Sequence, residues 1–211
     1  MLSAVLGVAI ASPSIELGAV RTGLWKPVTA HDRLNAGAPS TLTRDQYPIW
    51  GGADVRLDID LPPPRVRMYT GLDTHHWHSS WSHEPFDFSP VVHQYGAEVG
   101  IVRLVGDAIR GDPTRLRFTG GAGPYYQRMT REHHEPLSGW GVQWALGMGV
   151  EVRTKSGWGA ALDGRLVRRE GFQKVRATVR SPGGDYNWSW TPSHAGPELR
   201  MALIAPTPEK R

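Results

Sequence analysis

Hydrophobic residues in this chain recur at every second position, in runs separated by polar or Gly- and Pro-rich segments. Val55, Leu57, Ile59 and Leu61 fall on one face, and Arg56, Asp58 and Asp60 on the other. Pro62, Pro63 and Pro64 interrupt the run, after which Val66, Met68, Thr70 and Leu72 oppose Arg67, Tyr69, Gly71 and Asp73. A period of two marks a β-strand with two unlike faces, because successive side chains point to opposite sides of a sheet. The pattern therefore predicts a strand, a tight turn and a strand. The unit recurs as Tyr95 to Ile101 with Arg115 to Gly120, and as Val142 to Arg153 with Ala160 to Leu166. Ile15 to Ala19 and Glu198 to Leu203 add a first and a last strand. Eight strands are expected.

The connections alternate in length. Long polar segments are expected at Trp25 to Tyr47, Ser79 to Ser89, Thr130 to Ser138 and Arg169 to Ala195. Shorter turns are expected around Pro62, at Gly106 to Pro113 and at Lys155 to Gly157. This rhythm suits an outer-membrane barrel, with short periplasmic turns and longer outer loops.

The polar face then decides between solvents. It carries Arg, Asp and Glu mixed with Gly and Ala, as in Gly96, Glu98, Gly100 and in Gly147, Gly149, Glu151. Small residues and paired charges fit an eight-stranded lumen, which is just wide enough for side chains to fill. The expected inward bases are Arg56, Arg67, Arg115, Arg117, Arg153, Arg165 and Arg200. The expected inward acids are Glu16, Asp58, Asp60, Asp73, Glu98, Glu151, Asp163 and Glu198. Near balance is what a closed interior requires, since an unpaired buried charge costs several kcal/mol.

Composition narrows the classes further. The 211 residues suit one domain, and no apolar stretch approaches the roughly 18 residues of a membrane helix. The absence of cysteine excludes disulfides and thiolate metal sites. A net charge of +4 gives no case for nucleic acid. Leu2 to Ala11 reads as an apolar signal-peptide core cut after Ala11, with no basic residue before it, and so as a truncated export signal. The expected organisation is a signal peptide over 1–11, a barrel over 12–205 and a periplasmic tail over 206–211. Trp77, Trp81, Tyr125, Tyr126 and Trp140 fall near expected outer strand ends and Trp158 near an inner turn, as aromatic girdles do.

Three stretches carry a family resemblance: Gly96 to Gly100, Phe118 to Tyr126, and Gly139 through Arg153. With the strand rhythm, the chain resembles the small outer-membrane β-barrel superfamily of the OmpA-like and OmpX-like kind, over about Ile15 to Ala205. The resemblance implies an all-β, antiparallel up-and-down transmembrane barrel in the bacterial outer membrane. It also implies lipid, lipopolysaccharide and barrel-assembly machinery as partners, and a monomer. The last strand ends Leu203-Ile204-Ala205, where such barrels commonly end in an aromatic residue.

Candidate chemistry gathers at the expected outer rim. His75, His76, His78 and His83 cluster around Trp77 and Trp81, and neutral imidazoles suit Zn²⁺, Cu²⁺ or Ni²⁺. Arg168, Arg169, Lys174, Arg176 and Arg180 make a basic segment suited to lipopolysaccharide phosphates. No cofactor motif is present, and Thr119 to Gly123 lacks the Lys-Ser/Thr of a phosphate loop. The leading expectation is a structural or surface-interacting barrel without a wide pore. The alternatives are a rim enzyme acting on lipid through Ser79, Ser80 and His78 with Glu84 or Asp87, and a soluble lipocalin-like barrel binding a small ligand.

Overall fold

The computed structural model describes residues 13–22, 50–61, 65–78, 81–83, 86–88, 91–106, 114–131, 134–172, 175–181, 184–190 and 194–206. In chain order the strands are β1 (Ser14–Thr22), β2 (Trp50–Leu61), β3 (Val66–His78), β4 (Trp81–His83), β5 (Phe86–Phe88), β6 (Val91–Val105), β7 (Thr114–Arg131), β8 (His134–Arg153), β9 (Gly159–Gly171), β10 (Val175–Ser181), β11 (Gly184–Trp190) and β12 (His194–Pro206). Eight of them close into one antiparallel barrel in the order β1-β12-β9-β8-β7-β6-β3-β2. The expected strands are all present.

Closure comes from β1 and β12, which pair from Ser14↔Pro206 to Thr22↔Glu198. It leaves no open edge. Strand alternation holds as the sequence predicts. Leu17, Leu72, Val99, Leu146, Leu166 and Met201 lie exposed on the outer wall, whereas Glu16, Arg56, Glu98, Arg117, Asp163 and Arg200 are buried inside. A closed barrel that is apolar outside and charged inside satisfies every backbone group and suits lipid as its solvent.

At one end β8 and β9 are joined by a tight turn. Between β8 and β9 the Thr154 N–H donates to the Trp158 carbonyl (2.7 Å) and the Gly157 N–H to the Thr154 carbonyl (3.0 Å). Gly157 sits at φ +86, where a side chain would be strained. Near the same end the lumen is partly apolar: Tyr69, Val102 and Leu104 form one buried cluster, and Ala161, Ala202 and Ile204 another. The continuous run Ile101 to Val105 hid this. Val102 and Leu104 point inward, while Arg103 lies on the exposed face.

The opposite end differs from expectation in three respects. Thr130 to Ser138 is not a long loop, because β7 and β8 extend to Arg131 and His134, which pair directly. The segment after β3 contains the β4–β5 hairpin, and the segment after β9 contains the β10–β11 hairpin. β7 and β8 run for 18 and 20 residues. At about 3.3 Å per residue and a tilt near 45°, the longer rises roughly 45 Å, more than the ~30 Å hydrocarbon layer. These strands outreach a bilayer. At the C-terminus, Pro206 belongs to β12 and not to a tail. The expected signal peptide over 1–11, the first long segment from Trp25 to Tyr47 and the tail residues 207–211 lie outside the described residues.

Candidate functional site

The lumen holds a dense set of buried charged groups, and their pairing follows from the barrel order. β1 and β7 are diametrically opposite, with three strands between them on either side. Arg117 on β7 nevertheless reaches Glu16 on β1 at 3.0 Å. The same guanidinium lies 3.0 Å from Asp163 and 3.3 Å from Glu151. Arg200 completes this layer, contacting Glu16 at 2.8 Å, Asp54 at 2.6 Å and Asp163 at 3.4 Å. Arg117, Arg200, Glu16 and Asp163 have no solvent exposure. Arginine suits this place because its planar fork donates to several carboxylates at once.

A layer nearer the tight turns is built on Glu151. Arg67 donates to it at 2.8 and 2.9 Å and also reaches Asp60, while Arg153 donates to it at 2.7 Å. Arg153 also reaches the Ser14 hydroxyl at 3.1 Å. Arg115 is half-buried at the start of β7. Toward the other end, Arg165 donates to Glu98 at 2.6 and 2.8 Å, and the Tyr69 hydroxyl donates to the same carboxylate. Arg56 lies 3.0 Å from Asp54 and stacks over the Tyr69 ring, 4.5 Å from its centroid. Two glycines make room for that ring. A Cβ at Gly100 would sit 2.5 Å from the Tyr69 ring, and one at Gly121 would sit 2.2 Å from its hydroxyl.

The uppermost lumen layer contains residues that sequence reading placed elsewhere. Arg169, assigned to a lipopolysaccharide-facing segment, is buried in the lumen and donates to Glu198 at 2.8 Å and to Gln143 at 3.0 Å. His75, assigned to a metal cluster, is also buried there, 3.2 Å from Asp73 and 3.1 Å from Arg169 across the full barrel diameter. Both corrections have one cause. β3 and β9 continue past their expected ends, and alternation then turns odd-numbered residues inward. Tyr125 follows the same rule, buried inside with no exposure where an interfacial position was expected. Asp54, Gln94, Gln127 and Gln143 also belong to the lumen and were not singled out. Their membership is readable in hindsight from the alternation of β2, β6, β7 and β8.

Of the four expected histidine ligands, the two whose side chains are described do not come together. His75 and His76 are neighbours on one strand, one buried and the other exposed, and so point to opposite faces. The side chains of His78 and His83 lie outside the described residues. Among the described residues, no three His, Asp or Glu side chains are arranged to hold a metal ion. His76 instead faces His93 across β3 and β6, with their Nδ1 atoms 3.3 Å apart. Arg168 does lie on the outer wall, half-exposed and paired with Glu170. Lys174, Ser79, Ser80 and Glu84 are outside the described residues, as are the side chains of Asp87, Arg176 and Arg180.

Below the His76–His93 pair an aromatic row crosses the outer wall. Tyr95, Tyr126 and Trp140 are direct cross-strand partners on β6, β7 and β8, and the Tyr126 and Trp140 rings lie 5.1 Å apart. Phe172 extends the row, its N–H donating to the Trp140 carbonyl at 2.9 Å. Rings in such a row sit well at the boundary between acyl chains and headgroups.

No protein-family model matches the sequence, and a search of curated proteins returns no significant match. Among solved structures, the chain is similar to a major outer membrane protein from Thermus thermophilus. The TM-score is 0.54 and the identity 11%, over 92% of this chain and 98% of that one. Ail, the attachment invasion locus protein of Yersinia pestis, aligns with a TM-score of 0.43 at 11% identity, over 92% and 98% of the two chains. The N-terminal barrel domain of OprF from Pseudomonas aeruginosa gives 0.37 at 12%, over 91% and 97%. At 11% identity, the likeness to the Thermus protein bears on the fold alone.

Proposed function

We propose that the protein is a structural barrel of the bacterial outer membrane, closed to large solutes, whose outer rim contacts lipopolysaccharide and other surface partners. The observation that carries the sealed-barrel reading is the Arg117–Glu16 pair, which spans opposite strands at 3.0 Å. Pairs at other levels cross the lumen too, which supports an interior without a wide channel. The apolar outer wall supports the membrane location, because an exposed belt of Leu, Val and Met is favourable in lipid and unfavourable in water. Contact with lipid headgroups is supported by the aromatic row and by exposed Arg128 and Arg168 beside it, since guanidinium groups suit phosphate.

Two measurements test this reading. Cell fractionation should recover the protein in the outer membrane, migrating differently on gels before and after boiling; recovery as a detergent-free soluble species would overturn the membrane location. Planar-bilayer recording of the purified protein should show no large, stable conductance. A wide, long-lived open level would refute the sealed lumen.

A further inference from the structure

The outer wall carries one cross-strand pair that neither the lumen network nor lipid contact explains. His76 on β3 and His93 on β6 are direct partners in the barrel register. His76 is exposed and His93 half-buried, with ring centroids 4.7 Å apart and planes inclined by 46°. Their Nδ1 atoms approach to 3.3 Å. That distance is at the long end for a hydrogen bond between ring nitrogens. It matches the edge of a coordination tetrahedron, because two ligands each 2.0–2.1 Å from one Zn²⁺ stand about 3.3–3.4 Å apart.

We infer that His76 and His93 form a two-histidine site for a divalent transition metal, with Zn²⁺ the ion best suited to the spacing. Each imidazole supplies one neutral nitrogen, a donor type that Zn²⁺, Cu²⁺ and Ni²⁺ all accept. The strands hold the donors in place, since each histidine lies within a hydrogen-bonded stretch of barrel wall and little ordering is needed on binding. Space for the remaining ligands exists on the β2 side. There His76 pairs with Gly51, and a Cβ built on that glycine meets no atom of the described residues within 4 Å. On the β7 side His93 pairs with exposed Arg128. Its positive charge opposes the metal and attracts an anion, so the open positions should be filled by water or an anionic oxygen. The site is expected to bind with micromolar rather than nanomolar affinity. This inference rests on the barrel register and not on the proposed function.

The test is calorimetric titration of Zn²⁺ into untagged, full-length protein folded in detergent. One equivalent should bind, and His76→Ala and His93→Ala should each weaken binding at least tenfold. The double variant should lose little more than either single one, because two donors to one ion act as a unit. Neither side chain is buried in the lumen, and the boiled-versus-unboiled gel shift should confirm that the variants still fold. The inference is overturned if the wild-type protein binds no Zn²⁺. It is equally overturned if either single variant binds as the wild type does, since some other of the nine histidines would then be the ligand.

Discussion

At the scale of single residues, the lumen separates charges by how completely each is compensated. Glu16 is held by both Arg117 and Arg200, so removing either arginine leaves a buried carboxylate short of a partner. Arg117→Ala should therefore destabilise the folded barrel by about 3–5 kcal/mol, measured by urea unfolding in detergent. Arg168→Ala removes a pair that is about half-exposed on both sides (54% and 49%) and should change stability by no more than roughly 1 kcal/mol. Asp58 behaves in the opposite sense. It is buried at 1% exposure, no arginine hydrogen-bonds to it, and the side chain it meets is another acid, Glu16. An amide of the same shape removes the second acid beside Glu16 and supplies a donor to it. Asp58→Asn should accordingly hold or raise stability, by up to about 1–3 kcal/mol, the usual cost of an unsatisfied buried polar group. A loss comparable to that of Arg117→Ala would show that the Asp58 carboxyl itself, and not merely a donor at that position, is needed beside Glu16.

At the scale of elements, the barrel strands and the outer hairpins are held by different interactions. β10 and β11 pair with each other from Val175↔Trp190 to Ser181↔Gly184 and form a two-stranded sheet outside the barrel ladder. Replacing residues 173–192 by a short Gly-Ser linker should leave the barrel folded, with its anomalous gel mobility and β-type circular dichroism intact. Loss of both would mean the hairpin is needed for closure. The same division explains what the sequence made legible. Val55 to Leu61 and Val142 to Arg153 alternate between aliphatic and charged or small residues, so their period and their inner face could be read directly. The upper parts of β3 and β9 could not. His75, Arg168 and Arg169 lie where the outer wall is no longer aliphatic, and without that contrast a strand resembles a polar loop. The length of β7 and β8 was hidden likewise, because Gln127 to Arg131 and His134 to Ser138 lack an apolar outer stripe even though the two strands stay paired, across a register shift, up to Arg131 and His134. Lumen pairs such as Arg117 with Glu16 depend on which strands face each other across the barrel, and that follows only from closure.

At the scale of the whole molecule, the decisive question is what solvent bathes the outer wall, and an arginine scan along one strand answers it. Leu146 lies near the middle of β8, 61% exposed, with Gly120 and Leu166 beside it on the neighbouring strands. Val152 lies on the same outer face, one residue from the strand end at Arg153. If the wall faces acyl chains, the cost of a charge depends on depth. Leu146→Arg should then destabilise the protein folded into lipid vesicles by about 2–4 kcal/mol, and Val152→Arg by about 0–1 kcal/mol, because the latter can reach the headgroups. If the wall faced water, neither site would carry a burial penalty. Both substitutions would be nearly neutral and would improve solubility by breaking up an exposed apolar surface. The ratio between the two sites is the informative quantity, since a packing defect at either one has no reason to scale with distance from the tight turns. Equal costs at Leu146 and Val152 would therefore remove lipid as the solvent, even with the barrel itself intact.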